Sequence, residues 1–357
     1  MATAKTLVIV ERGKVEIREL PLPKVRDDSI LVRIRATGIN PTDRKSIDSG
    51  DETQRGSRPG CDYAGEVVEV GAGVTKGFKK GDRVSGLIFG SNSDTPDNGA
   101  FGEYATAREH ISLKTPDNVS DEEGATLGVS VTTVGQGLYK TLKLPPPNKP
   151  AETPFPVLIY GGSSATGIYG IKFAKLSGLT VIATASPHNF GLLKSIGADY
   201  VFDYKSPTVG ADIRALTGNK LKYAWDCIGG PSSAAICAAA LSDDEEGGRP
   251  KYANIVYTPR EAVERVNPVV DGPLFTLAYT VVGEGFTRFG KVFEPDLEDA
   301  EFAGKFWDLT LELLASGRLT PLRPDVNRLG RGLEGIILGL DEVRHDRVSG
   351  TKLVYTL

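Results

Sequence analysis

Hydrophobic positions change period twice between Pro156 and Ser186. Val157 to Tyr160 is an unbroken apolar run, the pattern of a short strand buried on both faces. Gly161 to Gly167 follows as a turn of small residues, and Ile168, Ile171, Phe173, Ala174 and Leu176 then recur at near-helical spacing. Val181 to Ala183 opens a second strand. Further runs at Tyr200–Phe202, Tyr223–Cys227 and Tyr252–Val256 continue the alternation, which predicts a doubly wound α/β sheet.

The flanks follow other periods. Ser29–Ala36 alternates apolar with polar residues, Ala64–Val70 reads as a strand closed by Gly71-Ala72-Gly73, and Gly81-Asp82-Arg83-Val84 begins another. Strands separated by glycine-rich corners predict a compact, barrel-like β domain. Ser120 to Leu144 reads as one helix, with Ser120 as its cap and Glu123 three residues on. The six prolines of Pro145–Pro156 exclude helix and predict a surface excursion. Ser242–Gly248 is an acidic loop, Gly304–Ser316 an amphipathic helix ended by Gly317, and Lys352–Leu357 a strand that returns to the first domain.

Composition narrows the function classes. The 357 residues suffice for two domains, and 40% apolar with 25% charged is ordinary for a globular enzyme. A net charge of −4 favours neither nucleic acid nor membrane as partner. No apolar run approaches the ~20 residues that span a bilayer, and Leu7–Val10 is too short for a secretory leader. An intracellular, cytoplasmic protein is the expectation. Cys61, Cys227 and Cys237 form no C-x-x-C pair and read as small core residues. With only His110, His188 and His345 beside them, a zinc site is hard to assemble, and no metal is expected.

The Gly161–Gly167 turn stands between a strand and a helix, where backbone N–H groups and the helix dipole meet a phosphate. It departs from G-x-G-x-x-G, since Ser164 and Ala165 take the middle, but small side chains still permit close approach. A dinucleotide is therefore expected. A site for NAD places a carboxylate at the end of the second strand. Here Ala185-Ser186-Pro187-His188-Asn189 carries none, and Tyr204 and Lys205 follow the next strand. This predicts NADPH as cofactor.

These segments resemble the medium-chain dehydrogenase/reductase superfamily over essentially the whole chain. Gly38-Ile39-Asn40-Pro41-Thr42-Asp43, Gly60-Cys61-Asp62-Tyr63-Ala64-Gly65, Gly81-Asp82-Arg83-Val84 and Gly99-Ala100-Phe101-Gly102-Glu103-Tyr104 match its landmarks. The resemblance implies a GroES-like β-rich catalytic domain (1–125 and 308–357) interrupted by a Rossmann domain (126–307). The alcohol-dehydrogenase branch has a zinc-ligand cysteine where this chain has Asn40, and a His-Glu pair where it has Cys61-Asp62. Ser91–Asn98 lacks the cysteines of that branch's structural zinc lobe. The chain therefore resembles the zinc-free, quinone-reductase-like branch.

A narrower similarity is to the fungal trans-acting enoyl reductases. It rests on Asn40-Pro41-Thr42-Asp43-Arg44-Lys45, Gly161–Gly167, Ser186-Pro187-His188-Asn189-Phe190 and Val201-Phe202-Asp203-Tyr204. It implies NADPH contacts from Thr42, Asp43, Arg44, Lys45, Ser164, Ala165, Thr166, Gly167, Ser186, Pro187, His188, Asn189, Tyr204, Ile255, Val256, Val348 and Ser349. It implies an acyl channel lined by Thr133, Val134, Leu277, Ala278, Tyr279, Thr280 and Val281. Candidate catalytic groups are Lys45, Thr133 beside the nicotinamide, and Tyr63, which reads either as a proton donor or as a satisfied core tyrosine. The implied substrate is an α,β-unsaturated polyketide thioester on an acyl carrier protein, with a monomer expected and a dimer the alternative. A reductase of small diffusible quinones or enones and a non-catalytic nucleotide-binding protein are the competing readings.

Overall fold

Every apolar run of the alternating segment becomes a strand of one parallel sheet. The computed structural model describes residues 2–357. The strands Pro156–Tyr160, Thr180–Ala185, Tyr200–Asp203, Tyr223–Asp226 and Lys251–Asn254 are joined by a sixth, Asp271–Phe275. Numbered in chain order, they lie 3-2-1-4-5-6 across the sheet, all parallel. The order reverses between Pro156–Tyr160 and Tyr223–Asp226, whose carboxyl ends flank the crevice where such sheets take ligands. The sixth strand escapes sequence periodicity because it contains Gly272 and Pro273, which a sheet tolerates at its edge. Leu158, Ile182, Ala224, Tyr252, Ile213 and Cys237 are among the side chains packed in the core against one face.

The predicted helix 120–144 is broken. Ser120 does cap it: Glu123 N donates to Ser120 Oγ at 3.1 Å, and Ser120 N to Glu123 Oε2 at 3.0 Å. Helix nevertheless runs only over Asp121–Gly124 and Gly128–Val134, followed by a wide π turn over Gly135–Thr141. Two tertiary demands interrupt it. Asp62 Oδ1 takes the Val129 N–H at 2.7 Å. Gly137 lies against Trp225, so closely that a Cβ there would come within 2.3 Å of its indole nitrogen.

The other unit is built on the long strand Ser29–Gly38. It pairs antiparallel with Asp62–Val70, with Tyr104–Arg108 along its first half, and with Lys352–Thr356 along its last three residues. The returning carboxyl-terminal strand thus has its expected place. Arg83–Leu87 and Ser112–Lys114 extend the sheet, and a hairpin, Thr3–Glu11 with Lys14–Pro21, precedes it. Ile30, Val32, Ile34, Val67, Val84 and Ala105 fill the core.

The two units are the chain through Thr132 with Tyr279–Leu357, and Thr133–Ala278. The β-rich unit therefore resumes earlier than residue 308, because the helix Leu297–Ala315 packs within it. Trp307 Nε1 donates to Thr132 Oγ1 at 3.2 Å, and Asn118 Nδ2 to Leu314 O at 3.0 Å.

Candidate active site

In the Thr133–Ala278 unit, the small-residue turn is organised by its own side chains. Gly161 takes φ +77°, a conformation that favours glycine. Ser164 caps the helix Ala165–Leu176: its hydroxyl accepts from Gly167 N at 3.0 Å and donates to Gly161 O at 2.8 Å. Ser164 is thus occupied by the cap, and the amides of Ala165 and Thr166 in the first turn are the donors left to an anion. A Cβ at Gly161 would reach within 2.5 Å of Ile228, an apolar side chain 51% exposed on the loop after Tyr223–Asp226. Asp226 sets that loop, accepting from Ile228 N and Gly229 N at 2.9 Å each. Ile228 is a residue of the crevice that the sequence reading missed, since an isolated exposed isoleucine carries no motif.

Ser186 follows the strand Thr180–Ala185 and opens the short 3-10 turn Pro187–Asn189. Its hydroxyl lies 3.5 Å from that of Tyr204, and the Lys205 ammonium stands 5.9 Å from the Tyr204 ring. Asn189 is buried, with Nδ2 3.2 Å from His188 Nε2. The Asp203 carboxylate accepts from the Lys205 backbone N–H at 3.0 Å. Ile255 and Val256 follow Lys251–Asn254, and Val256 packs where a Cβ on Gly229 would stand. Ser186, Tyr204 and Lys205 thus form a polar, partly cationic cluster after the second and third strands of the sheet.

In the β-rich unit, Asn40-Pro41-Thr42-Asp43 starts the helix Pro41–Asp48. Asn40 N donates to Asp43 Oδ2 at 2.7 Å, which turns the Asp43 carboxylate inward. Burial, opposed by that hydrogen bond, raises the Asp43 pKa to about 6. Lys45 is exposed on the same helix, and partial desolvation, then the Arg44 charge, lower its pKa. Thr42 is partly exposed, and its Oγ1 is 2.6 Å from the Tyr279 hydroxyl. Tyr279 itself is buried and stacked on Phe89, ring centroids 4.0 Å apart. The Arg288 guanidinium lies 4.8 Å from the Tyr279 ring centre. Of the residues expected in the acyl channel, Thr280 Oγ1 donates to Asp299, and the Val281 carbonyl meets His110 Nε2 at 2.8 Å. Thr133 and Val134 are buried, and Leu277 and Ala278 are half-buried, in the Thr133–Ala278 unit. Val348 is half-buried and Ser349 exposed before the last strand.

Of the two readings of Tyr63, proton donor and core tyrosine, the second fits its surroundings. It is wholly buried in the β core and its hydroxyl bonds Ser112 Oγ at 2.7 Å. Burial drives its pKa upward. These surroundings fit a structural tyrosine, not a proton donor to substrate.

Asn40, Cys61 and Asp62 belong to one buried cluster. The Lys352 ammonium donates to Asn40 Oδ1 at 2.8 Å and to the Asp62 carboxylate. Both Lys352 and Asp62 are almost fully buried. Cys61 is the single thiol there, and burial, reinforced by the Asp43 and Asp62 charges, pushes its pKa up. Among the described residues no group of three His, Cys, Asp or Glu is placed to hold a metal ion. A zinc ion does not fit these donors, because an ammonium already occupies their oxygens.

A GroES-like β unit and a doubly wound sheet with a phosphate-type turn at its first strand define a medium-chain dehydrogenase/reductase. The alcohol dehydrogenase GroES-like domain family matches residues 26–117 and the zinc-binding dehydrogenase family residues 165–246. The fold is shared with the enoyl reductase CurK (TM-score 0.75, 18% identity, 99% of both chains) and a quinone oxidoreductase from Coxiella burnetii (0.70, 20%, all of both chains). The chain is 40% identical to a trans-enoyl reductase of Alternaria alternata across the whole of both chains. It is 41% identical to one from Aspergillus sclerotiorum over 95% of this chain and 96% of that one. With one from Cochliobolus carbonum the figures are 49%, 77% and 88%. The chain belongs to the trans-enoyl reductase family.

Proposed function

We propose that the protein is an NADPH-dependent trans-acting enoyl reductase that reduces the α,β-double bond of polyketide thioesters borne by an acyl carrier protein. The observation that carries this reading is identity to trans-enoyl reductases along the full chain. When bound, the dinucleotide supplies a hydride to the β-carbon. The cradle for it is the Gly161 turn, where the absence of a Cβ leaves room beside Ile228. The amides of Ala165 and Thr166 would donate to its pyrophosphate. Ser186, Asn189, Tyr204 and Lys205 would hold the 2′-phosphate. In the β-rich unit Thr42 to Lys45 would serve the cofactor, with the Lys45 ammonium as a cation for a phosphate or ribose hydroxyl; in the other unit Thr133 is the candidate group for the nicotinamide. Negative charge that develops on the thioester oxygen requires donors preorganised in the site.

The decisive experiment follows NADPH oxidation with crotonyl and longer 2-enoyl thioesters against simple quinones. Turnover of thioesters, fastest when they are loaded on a carrier protein, is the expected result; turnover of quinones alone would overturn the reading. Ser186→Asp should weaken NADPH binding far more than NADH binding, and an equal loss for both would remove the cofactor assignment. A chelator should leave activity unchanged. The protein acts as a monomer, because the Asp271–Phe275 edge of its parallel sheet carries Pro273, which has no N–H to pair.

A further inference from the structure

The reduction needs a proton at the α-carbon, and neither Tyr63 nor a tyrosine between Ser46 and Gly60 can supply it. The β-rich unit contains one other arrangement of hydroxyls suited to the task. Thr42 Oγ1 and the Tyr279 hydroxyl lie 2.6 Å apart, a short hydrogen bond in which either can donate. Their exposures differ: Thr42 reaches the surface of its helix, whereas Tyr279 is only 4% exposed. Behind Tyr279 stands Arg288, 3% exposed, donating to Ser91 O and Ser46 Oγ, both neutral. Among the described residues no carboxylate pairs with Arg288, so its charge faces the rings of Tyr279, Phe89 and Phe289. The Cys61 thiol, 3.7 Å from the Tyr279 oxygen, is a further weak hydrogen-bond partner in which either atom can donate.

We propose that Thr42 and Tyr279 form a two-hydroxyl relay that protonates the α-carbon, with Arg288 as the countercharge for the tyrosine. The inference rests on the reductase reading above. Once hydride has reached the β-carbon, the former C=C electron pair is held as the thioester enolate. It forms the new Cα–H bond by taking the Thr42 proton. The Thr42 oxygen recovers a proton from Tyr279, whose O–H bond breaks. The resulting phenolate is held beside the Arg288 guanidinium until it takes a proton from water, which restores the site. Burial raises the Tyr279 pKa well above that of a free phenol, opposed by Arg288, so the group is protonated at the start of each cycle. Thr42 is the catalytic residue of the pair; Tyr279 and Arg288 act through it.

The test uses Tyr279→Phe, which keeps the stack on Phe89 and removes only the hydroxyl, together with Thr42→Val and Thr42→Ser. Each is assayed with a 2-methyl-2-enoyl thioester, and the configuration at the α-carbon is determined. Wild type should give one configuration. Tyr279→Phe and Thr42→Val should lower kcat about 100-fold, the lower end of what a positioned acid contributes, and scramble the α-carbon as water becomes the donor. Thr42→Ser should retain a single configuration. Full kcat in Tyr279→Phe, or a slow variant that still gives one configuration, would overturn the relay. A wild type inactive on every enoyl thioester would instead count against the reductase reading.

Discussion

At the scale of single residues, the site is dominated by buried charges whose partners lie far away in sequence. Lys352 and Asp62 are the clearest case. Removing one member of such a pair leaves an uncompensated buried charge, so Lys352→Met should cost about 3–5 kcal/mol. Lys352→Met with Asp62→Asn should recover much of that loss. Urea unfolding of the single and double variants measures both, and additive losses would deny the coupling. Asp43 provides a pH signature. Its pKa is about 6 in the native state and that of an ordinary carboxyl, about 3.9, when unfolded. Between these values the native state holds the extra proton, so the contribution of Asp43 to stability falls as pH rises from about 4 to 6 and is level above. The span is on the order of 2–3 kcal/mol. Asp43→Asn should remove that slope from the difference between variant and wild type in urea unfolding at stepped pH. Lys352 and Arg288 carry no sequence motif because the fold brings their partners from distant segments, whereas Asn40, Thr42 and Asp43 are visible because one local helix start needs them together.

At the scale of elements, legibility follows burial. The four inner strands announce themselves as largely apolar runs because most of their residues are buried. The helix 120–144 does not break where local propensity would break it. Its interruptions are imposed by Asp62 and Trp225, which lie elsewhere in the chain. Gly137→Ala tests this. In an isolated helix alanine would stabilise relative to glycine, but here the added Cβ meets the Trp225 ring, so a loss of about 1–3 kcal/mol is expected in thermal or urea unfolding. A gain would mean that the π turn is not set by this contact.

At the scale of the whole molecule, the sheet edge decides whether two copies can join. Asp271–Phe275 is the last strand of the six, and an open parallel edge is a template for a second chain. This edge is poorly suited to pairing. Pro273 in its middle has no N–H to offer, and the register against Lys251–Asn254 shifts beside it. The strand is also short, five residues. An antiparallel pairing across such an edge would leave backbone groups of both copies unsatisfied where they are buried, at roughly 1–3 kcal/mol each. Light scattering on the eluting protein should therefore give the monomer mass at micromolar concentration, with and without NADPH. A dimer that persists on dilution would show that another surface joins the copies. A dimer abolished by Phe275→Lys would show that the edge itself pairs despite Pro273.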